Sequence, residues 1–232
     1  MDENTKNYSK IILKEVKESF IDNKKIILTV TVIFFFFGIL GYFIYGMFTS
    51  PINHMFTGFA HHVKSVEPTS MGLFINNSTT ACILFLGSLL LGIGGIFEIF
   101  VSSFFLGVTA AMTAQKGKIL LFFLLIIPHG IFEIPALILA SSSGFVMLSF
   151  VISFLKKLKS PDKEYLKVLD SKTSLNNLSL KDKMKMSWMQ NKFKFKQSII
   201  LFIVCIILLV IAAIIEGNIT QPLGLAIYGF LT

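Results

Sequence analysis

The sequence predicts an all-α, polytopic helical membrane protein, and two features of its composition support this class. Hydrophobic residues make up 54% of the 232-residue chain and charged residues only 15%, whereas a soluble domain carries about 25% charged residues. Several apolar runs are also as long as the roughly 20 residues that a helix needs to cross a bilayer. We therefore expect about five full spans, a broken or re-entrant helix at Pro128–Gly130 and amphipathic helices at the membrane interface.

The positive charge is concentrated in two segments. The chain has a net charge of +8, all 21 of its basic residues are lysines, and most of them lie in residues 1–25 and 156–196. Basic segments beside membrane spans favour the cytoplasmic side, so we expect a multi-pass protein of the cell membrane with a cytoplasmic N-terminus. Five crossings then place the C-terminus outside. Lysines in this position attract anionic lipids, and nucleic acid is not an expected partner.

The first segment, residues 1–25, is predicted to be a cytoplasmic amphipathic leader. Ile12, Val16 and Phe20 are four residues apart and share one helix face, while lysines and glutamates occupy the other faces. Such a helix can lie on the membrane surface. An ordinary solvated leader is the alternative. The rest of the chain, 26–232, is predicted to form a single integral membrane domain.

The apolar runs define the spans of this membrane domain. The predicted spans are 26–48, 80–96, 99–115, a broken span over 119–155, and 197–215. The segment 156–196 is predicted to be a basic cytoplasmic loop that contains a second interfacial helix with Trp188 at the headgroups. Four crossings before this loop return it to the side of the N-terminus, which the distribution of lysines requires.

Polar residues mark the beginning and the middle of the second apolar region. Asn76 and Asn77 precede it, and their short side chains can cap the first free N–H groups of the helix that follows. The turn between the second and third spans is expected between Gly92 and Ser103. Glycines there provide a permissive backbone, and Glu98 would lie near the lipid headgroups.

Small residues recur at four-residue spacing in two of the predicted spans. The two stripes are Ser103, Gly107 and Ala111 in the third span and Ala136, Ala140 and Gly144 in the fourth. Small residues on one face allow two membrane helices to approach closely. We expect these two stripes to pack against each other.

The run Ile119–Leu155 contains the candidate functional centre. It has no Lys, Arg or Asp, yet it includes Pro128, His129 and Glu133. Proline removes a backbone donor and disfavours helix in the preceding residue, so a break is expected at Pro128–Gly130. His129 and Glu133 are four apart and share a helix face. Polar groups at a broken membrane helix lie against protein or a water-filled cavity, because facing lipid is too costly.

Neither metal nor thiol chemistry is expected from the remaining residues. His54 and His61 are seven apart in the predicted outer loop, with His62 adjacent, but no cysteine or carboxylate accompanies them at ligand spacing. Cys82 and Cys205 fall in apolar spans and are predicted to be buried thiols without a disulfide. The sequence therefore predicts no metal and no cofactor.

Three stretches of the sequence resemble the stage II sporulation protein M family. They are Asn76–Asn77, the sequence PHGIFEIPA at 128–136, and the sequence IEGNITQPL at 215–223. The resemblance covers most of residues 10–225. It implies a membrane component that recruits partner proteins, as the family member of endospore formers does during engulfment. The candidate intramembrane polar site comprises Asn76, Asn77, Glu98, Pro128, His129, Gly130, Glu133 and Glu216.

Two functions of different classes fit these features. A non-enzymatic membrane scaffold or assembly component, acting as a homodimer or with a membrane-protein partner, would use His129 and Glu133 as a structural pair. A transporter or channel for a small solute or ion would use them at a broken-helix site. A hydrated cavity reaching Glu133 favours transport, whereas a dry interface favours scaffolding. A hydrolase using Ser141–Ser143 is disfavoured, because His129 lies about three helical turns away.

Overall fold

The computed structural model describes residues 3–48, 69–90, 92–159, 179–220, 222–223 and 226–227. Its helices are α1 (Glu3–Asp22), α2 (Lys24–Met47), α3 (Ser70–Leu89), α4 (Ile93–Gln115), α5 (Ile119–Lys159) and α6 (Leu180–Ile215), and a π-helical turn follows at Glu216–Thr220. Among these described residues, five helices are long and apolar enough to cross a membrane. The predicted class, an all-α polytopic membrane protein with five spans, is therefore confirmed. The histidines at 54, 61 and 62 lie outside the described residues.

Helix α3 begins earlier than the sequence predicts. Its N-cap is Thr69, whose hydroxyl oxygen accepts a hydrogen bond from the backbone N–H of Gly72 at 3.1 Å. Asn76 and Asn77, which we expected to cap the helix, lie inside it instead. Thr69 satisfies one of the free N–H groups of the first turn, and the polar stretch Asn76–Thr79 lies within the span.

The turn between α3 and α4 also differs from the prediction. It is tight and centred on Gly92, whose φ of 76° is in the left-handed region that favours glycine. Gly95, which we had placed in the turn, instead lies in the first turns of α4. A Cβ at Gly95 would overlap the side chain of Ser88 in α3, so this glycine allows the two helices to approach closely. Glu98 is half-buried in α4.

Helix α5 runs without interruption through both of its prolines. It has 41 residues from Ile119 to Lys159, with Pro128 and Pro135 inside it. The expected break or re-entrant turn at Pro128–Gly130 is therefore replaced by a continuous helix, about 61 Å long at 1.5 Å per residue. Each proline removes one backbone hydrogen bond, and neighbouring helices stabilise the span on either side.

Helix α6 joins two elements that the sequence predicts to be separate. The predicted interfacial helix around Trp188 and the last span form one helix of 36 residues, Leu180–Ile215. Its first half packs against the end of α5. The hydroxyl of Ser187 donates to the carbonyl of Phe154 at 2.6 Å, and Trp188 contacts Phe150 with ring centroids 5.8 Å apart. Much of the predicted basic loop is thus helical, and residues 160–178 are outside the described residues.

The long helices α5 and α6 extend beyond the other spans at one end of the bundle. The α3–α4 turn lies beside Phe145: a Cβ added at Gly92 would lie 2.9 Å from the ring of Phe145. From Phe145, α5 continues to Lys159, and 14 residues correspond to about 21 Å of helix. We call this end, formed by the end of α5 and the beginning of α6, the lysine-rich extension.

Helix α1 is attached to α6 beside this extension by polar contacts. The amide of Asn23, between α1 and α2, donates to Gln197 Oε1 at 3.0 Å, and Gln197 Nε2 donates to Asp22 Oδ2 at 2.7 Å. An ion pair also joins Glu15 and Lys196. Of the expected apolar face, Val16 and Phe20 are half-buried whereas Ile12 is exposed.

The small-residue stripe of α4 packs mainly against α2 rather than against α5. Ser103, Gly107 and Ala111 are all buried. A Cβ at Gly107 would overlap the carbonyl oxygen of Gly38, and a Cβ at Gly41 would overlap that of Phe104. The expected pairing of the two stripes is therefore corrected, because α2 contributes its own glycines to the contact with α4.

The stripe of α5 packs against α3 and α6. Ala136, Ala140 and Gly144 are buried, and a Cβ at Gly144 would overlap the carbonyl oxygen of Phe85 in α3. The neighbouring serines add hydrogen bonds: Ser141 pairs with Ser88 of α3 at 2.9 Å, and Ser198 of α6 donates to the carbonyl of Ser143 at 2.8 Å. Helix α5 is thus the central helix of the bundle.

Candidate functional site

His129 and Glu133 of α5 face the end of α6, at the end of the bundle opposite the lysine-rich extension. His129 and Glu133 lie one turn apart on the same helix face, with His129 Nε2 3.6 Å from Glu133 Oε2. His129 is buried, with 7% of its surface exposed. The Glu133 side chain is 24% exposed.

The π-helical turn after α6 completes the cluster. A π turn widens the helix by one residue, and such turns occur frequently at functional sites. Here it places the hydroxyl of Thr220 3.3 Å from His129 Nδ1. It also brings Glu216 to the pair, so that a ligand atom from each of His129, Glu133 and Glu216 lies within 4.8 Å of the others. We call these three residues the His–Glu–Glu cluster.

Contacts with α3 hold the π turn in place. A Cβ at Gly217 would overlap the hydroxyl oxygen of Ser70, so only glycine allows this approach. Asn218 Nδ2 donates to the same hydroxyl at 3.4 Å and to the carbonyl of Ile214 at 2.8 Å. The cluster is therefore built where α3, α5 and the end of α6 meet.

The charges of the cluster require compensation. Two ionised carboxylates repel each other strongly where little water screens them. Protonated His129 could offset one of the two charges, and a proton shared by Glu133 and Glu216 could remove the other. A bound cation could offset both. The arrangement is thus suited to hold a proton or a metal ion, and it offers one nitrogen and two carboxylate ligands.

The remaining residues of the predicted polar site are distributed differently. Pro128 is half-buried and Gly130 is buried in α5, beside the cluster in sequence. In α3, Asn77 is buried and its Oδ1 accepts from Asn76 Nδ2 at 3.3 Å. Glu98 lies in the first turns of α4, near the lysine-rich end and therefore away from the cluster.

Two residues of the site were absent from the predicted set. Thr220 contacts His129, and Ser70 supports the π turn. Thr220 belongs to the stretch IEGNITQPL that carries the family resemblance and is four residues after Glu216, so it could have been found from that stretch. Ser70 could not, because it precedes the apolar run from which we predicted the span.

A large cavity adjoins α5 on a different face. Its volume is about 810 Å³, and it lies between α2, α4 and α5. Its walls are almost entirely apolar and include Phe34, Phe122, Gly130 and Pro135. None of the three cluster residues is among the described residues that line it. The cavity beside Pro128–Gly130 is therefore not a polar path to Glu133.

The serines of α5 are used in packing. Ser142 and Ser143 donate to the carbonyls of Ile138 and Ala140 at 2.7 Å each, and Ser141 pairs with Ser88. All three are fully buried. Helical rise separates Ser141 from His129 by about 18 Å, so this chain does not bring these groups together as a nucleophile and its base.

Among the described residues, five apolar helices, with a partly buried cluster of titratable groups between two of them, define a polytopic α-helical membrane protein. Residues 30–221 match Stage II sporulation protein M, and the chain belongs to that family. The resemblance seen in the sequence is thereby confirmed.

Two relatives are uncharacterized proteins of the archaeon Methanocaldococcus jannaschii. MJ0706 is 31% identical over 220 residues, which cover 90% of this chain and 87% of the relative. MJ0793 is 27% identical over 167 residues, which cover 71% of this chain and 78% of the relative. No solved structure matches the chain.

Proposed function

We propose that this protein is a non-enzymatic scaffold or assembly component of a membrane complex, and that it presents the lysine-rich extension to its partners. The partner is a second copy of the chain or another membrane protein. The observation that carries this proposal is the extension itself: α5 continues about 21 Å beyond the α3–α4 turn, and it contacts α6 there at Phe150 and Phe154.

The extension has the properties of a firm docking structure. Trp188 packs against Phe150 and Phe195, with ring centroids 5.8 and 5.3 Å apart. Lys194 Nζ donates to the hydroxyls of Ser149 and Ser153 at 3.2 and 3.1 Å. Because these contacts fix the two helices to each other, their exposed lysines have defined positions that a partner can recognise.

The transport alternative is less well supported by the geometry. It requires a polar, hydrated path to Glu133, whereas the cavity beside Pro128–Gly130 is apolar and its described lining excludes the His–Glu–Glu cluster. Helix α5 is also continuous, so apart from the two carbonyls that lose their donors to Pro128 and Pro135, its backbone does not open to offer groups to a substrate. On this interpretation the His–Glu–Glu cluster connects α5 to the π turn and does not bind a transported solute.

The charge of the extension indicates its side of the membrane and its lipid contacts. Basic segments remain preferentially cytoplasmic, and this supports an orientation with α1 and the extension inside the cell and the C-terminus outside. A pocket of about 460 Å³ between α1 and α6 includes Trp188, Lys192 and Lys196 among its lining residues. Aromatic and basic side chains together suit the headgroup region of an anionic membrane surface.

A photo-crosslinking amino acid at Lys185, which is exposed in the extension, tests the scaffold. We expect an adduct of one discrete mass in native membranes, identified by mass spectrometry as this chain or another integral membrane protein. The matched control is the same amino acid at Ile207, which is 54% exposed in the apolar half of α6. That position should form lipid adducts only. Lipid adducts alone at both positions would contradict the proposal.

A further inference from the structure

We propose that the His–Glu–Glu cluster is a binding site for one divalent transition-metal ion, with His129 Nε2 and a carboxylate oxygen of each of Glu133 and Glu216 as its ligands. The three ligand atoms already lie within 4.8 Å of one another. They come from two separate elements, α5 and the π turn after α6, so an ion bound there would link them. This inference is independent of the scaffold function.

The spacing of the ligand atoms suits a small ion. Zinc lies 2.0–2.2 Å from nitrogen and oxygen ligands, and two ligands of a tetrahedral ion are therefore about 3.3–3.6 Å apart. His129 Nε2 and Glu133 Oε2 are 3.6 Å apart. All three ligand atoms lie within 4.8 Å of one another, so binding requires the flexible Glu216 side chain to shift by only about 1 Å to reach the spacing of a tetrahedral ion.

The surroundings of His129 favour Nε2 as a ligand. Metal-binding histidines usually form a hydrogen bond through the second ring nitrogen, which fixes the tautomer and the ring orientation. Here Thr220 provides that contact at Nδ1, 3.3 Å away. The His129 side chain is also nine-tenths buried, and its Nε2 is aimed at a carboxylate that is too distant for a hydrogen bond. This buried nitrogen can donate its lone pair to a metal ion.

The ligand set selects the chemical class of the ion. Imidazole favours zinc, iron and related transition metals, and carboxylate adds affinity for manganese. Calcium takes six to eight oxygen ligands and magnesium keeps several waters in an octahedral shell. A site with one imidazole and two carboxylates therefore favours a transition metal over both. Three protein ligands also leave a coordination position for water or for a fourth group.

The competing explanation is that the cluster holds protons instead of a metal. In that case Glu133 and Glu216 share a proton, and the three side chains form a neutral or singly charged network. This network would stabilise the contact between α5 and the π turn without any ion. Metal binding by the purified protein distinguishes the two explanations.

The experiment uses full-length protein in detergent micelles, stripped of metal with a chelator, and isothermal titration with Zn²⁺. Because His129 is one of only four histidines, replacing His54, His61 and His62 by Gln removes the other imidazoles. We expect one Zn²⁺ per chain in this background, and no saturable binding of Ca²⁺ or Mg²⁺ in the same concentration range. Absence of stoichiometric Zn²⁺ binding, with Mn²⁺ also failing to bind, would overturn the proposal.

Variants in the same background locate the ion. Glu216→Gln removes a ligand and should weaken Zn²⁺ binding at least about 100-fold, because loss of an outer-shell partner alone costs 10–100-fold. Thr220→Val keeps the shape and all three ligands, and should weaken binding about 10–100-fold. Glu98→Gln, another half-buried glutamate of the bundle, is the matched control and should bind as the parent does. Equal affinity in Glu216→Gln and the parent would overturn the assignment.

Cobalt provides a measurement that does not depend on a variant's folding. Co²⁺ in the parent protein should give visible d–d absorption without a thiolate charge-transfer band, because the proposed ligands are nitrogen and oxygen. A thiolate band would place the ion at Cys82 or Cys205 and would overturn the proposal.

Discussion

At the scale of single residues, the glycines of this protein act by allowing backbone contact between helices. The sequence identified Gly107 as part of a small-residue stripe, and the structure places it in a buried helix contact. The sequence did not identify the helix that packs against this stripe. Gly38 and Gly41 of α2 are three residues apart, whereas the two stripes evident in the sequence have a four-residue spacing. The helix that packs against each stripe is decided by tertiary packing, and the pattern of a single sequence does not reveal it.

Replacing Gly107 by Val should destabilise the bundle. The added Cβ would overlap the carbonyl oxygen of Gly38, and a backbone carbonyl cannot rotate away as a side chain can. Overpacking of this kind costs about 1–3 kcal/mol, occasionally more. Thermal unfolding in detergent micelles should therefore show a lower midpoint. Gly46→Val is the matched control, because a Cβ at Gly46 meets nothing within 4 Å. A midpoint lowered equally in both variants would refute this explanation.

At the scale of the element, α5 shows how packing overrides a local rule. Two prolines predicted a break, yet the helix is continuous from Ile119 to Lys159. The residues after Pro135 are buried on several faces against α3 and α6, and this burial holds the backbone in place where propensity alone would end the helix. The same holds for α6, where an amphipathic and an apolar segment form one helix. Sequence patterns located these segments but did not show that they are joined.

Pro135→Ala tests whether the helix needs its proline. Alanine restores the backbone N–H, which can donate to the carbonyl of Ile131, and it favours the helical conformation already present. Proline inside a helix costs about 3 kcal/mol. The variant should therefore unfold at a higher temperature, and its free energy of unfolding should rise by up to about 3 kcal/mol. Pro135 is exposed, so little packing is lost. A lower unfolding midpoint would mean that the proline contributes a bend that the bundle requires.

At the scale of the whole molecule, the distribution of lysines predicted which ends of the helices lie together. The two basic segments were expected on one side, and α1 does lie against α6 at Lys196 and Gln197. The means of attachment was not predictable. We expected an apolar face to hold α1 at the membrane surface, whereas Asn23, Gln197 and Asp22 join it to α6 through hydrogen bonds. These partners are 174 and 175 residues apart in sequence, so no local pattern relates them.

Gln197 is the residue on which this attachment depends, because it is buried and bonds to both Asn23 and Asp22. Gln197→Leu keeps the approximate volume but removes the hydrogen bonds to Asn23 and Asp22. Asn23 Nδ2 keeps its bond to the carbonyl of Ser19, so we expect a cost of about 0.5–1.5 kcal/mol for each lost bond. We expect α1 to separate from α6 in part of the population. Spin labels on Tyr8 and Met189, both exposed, would show this as a broadened distance distribution. Lys185→Leu, at an exposed position of the same helix, should leave the distribution narrow. An unchanged distribution in Gln197→Leu would mean that the ion pair of Glu15 and Lys196 is sufficient to hold the helix.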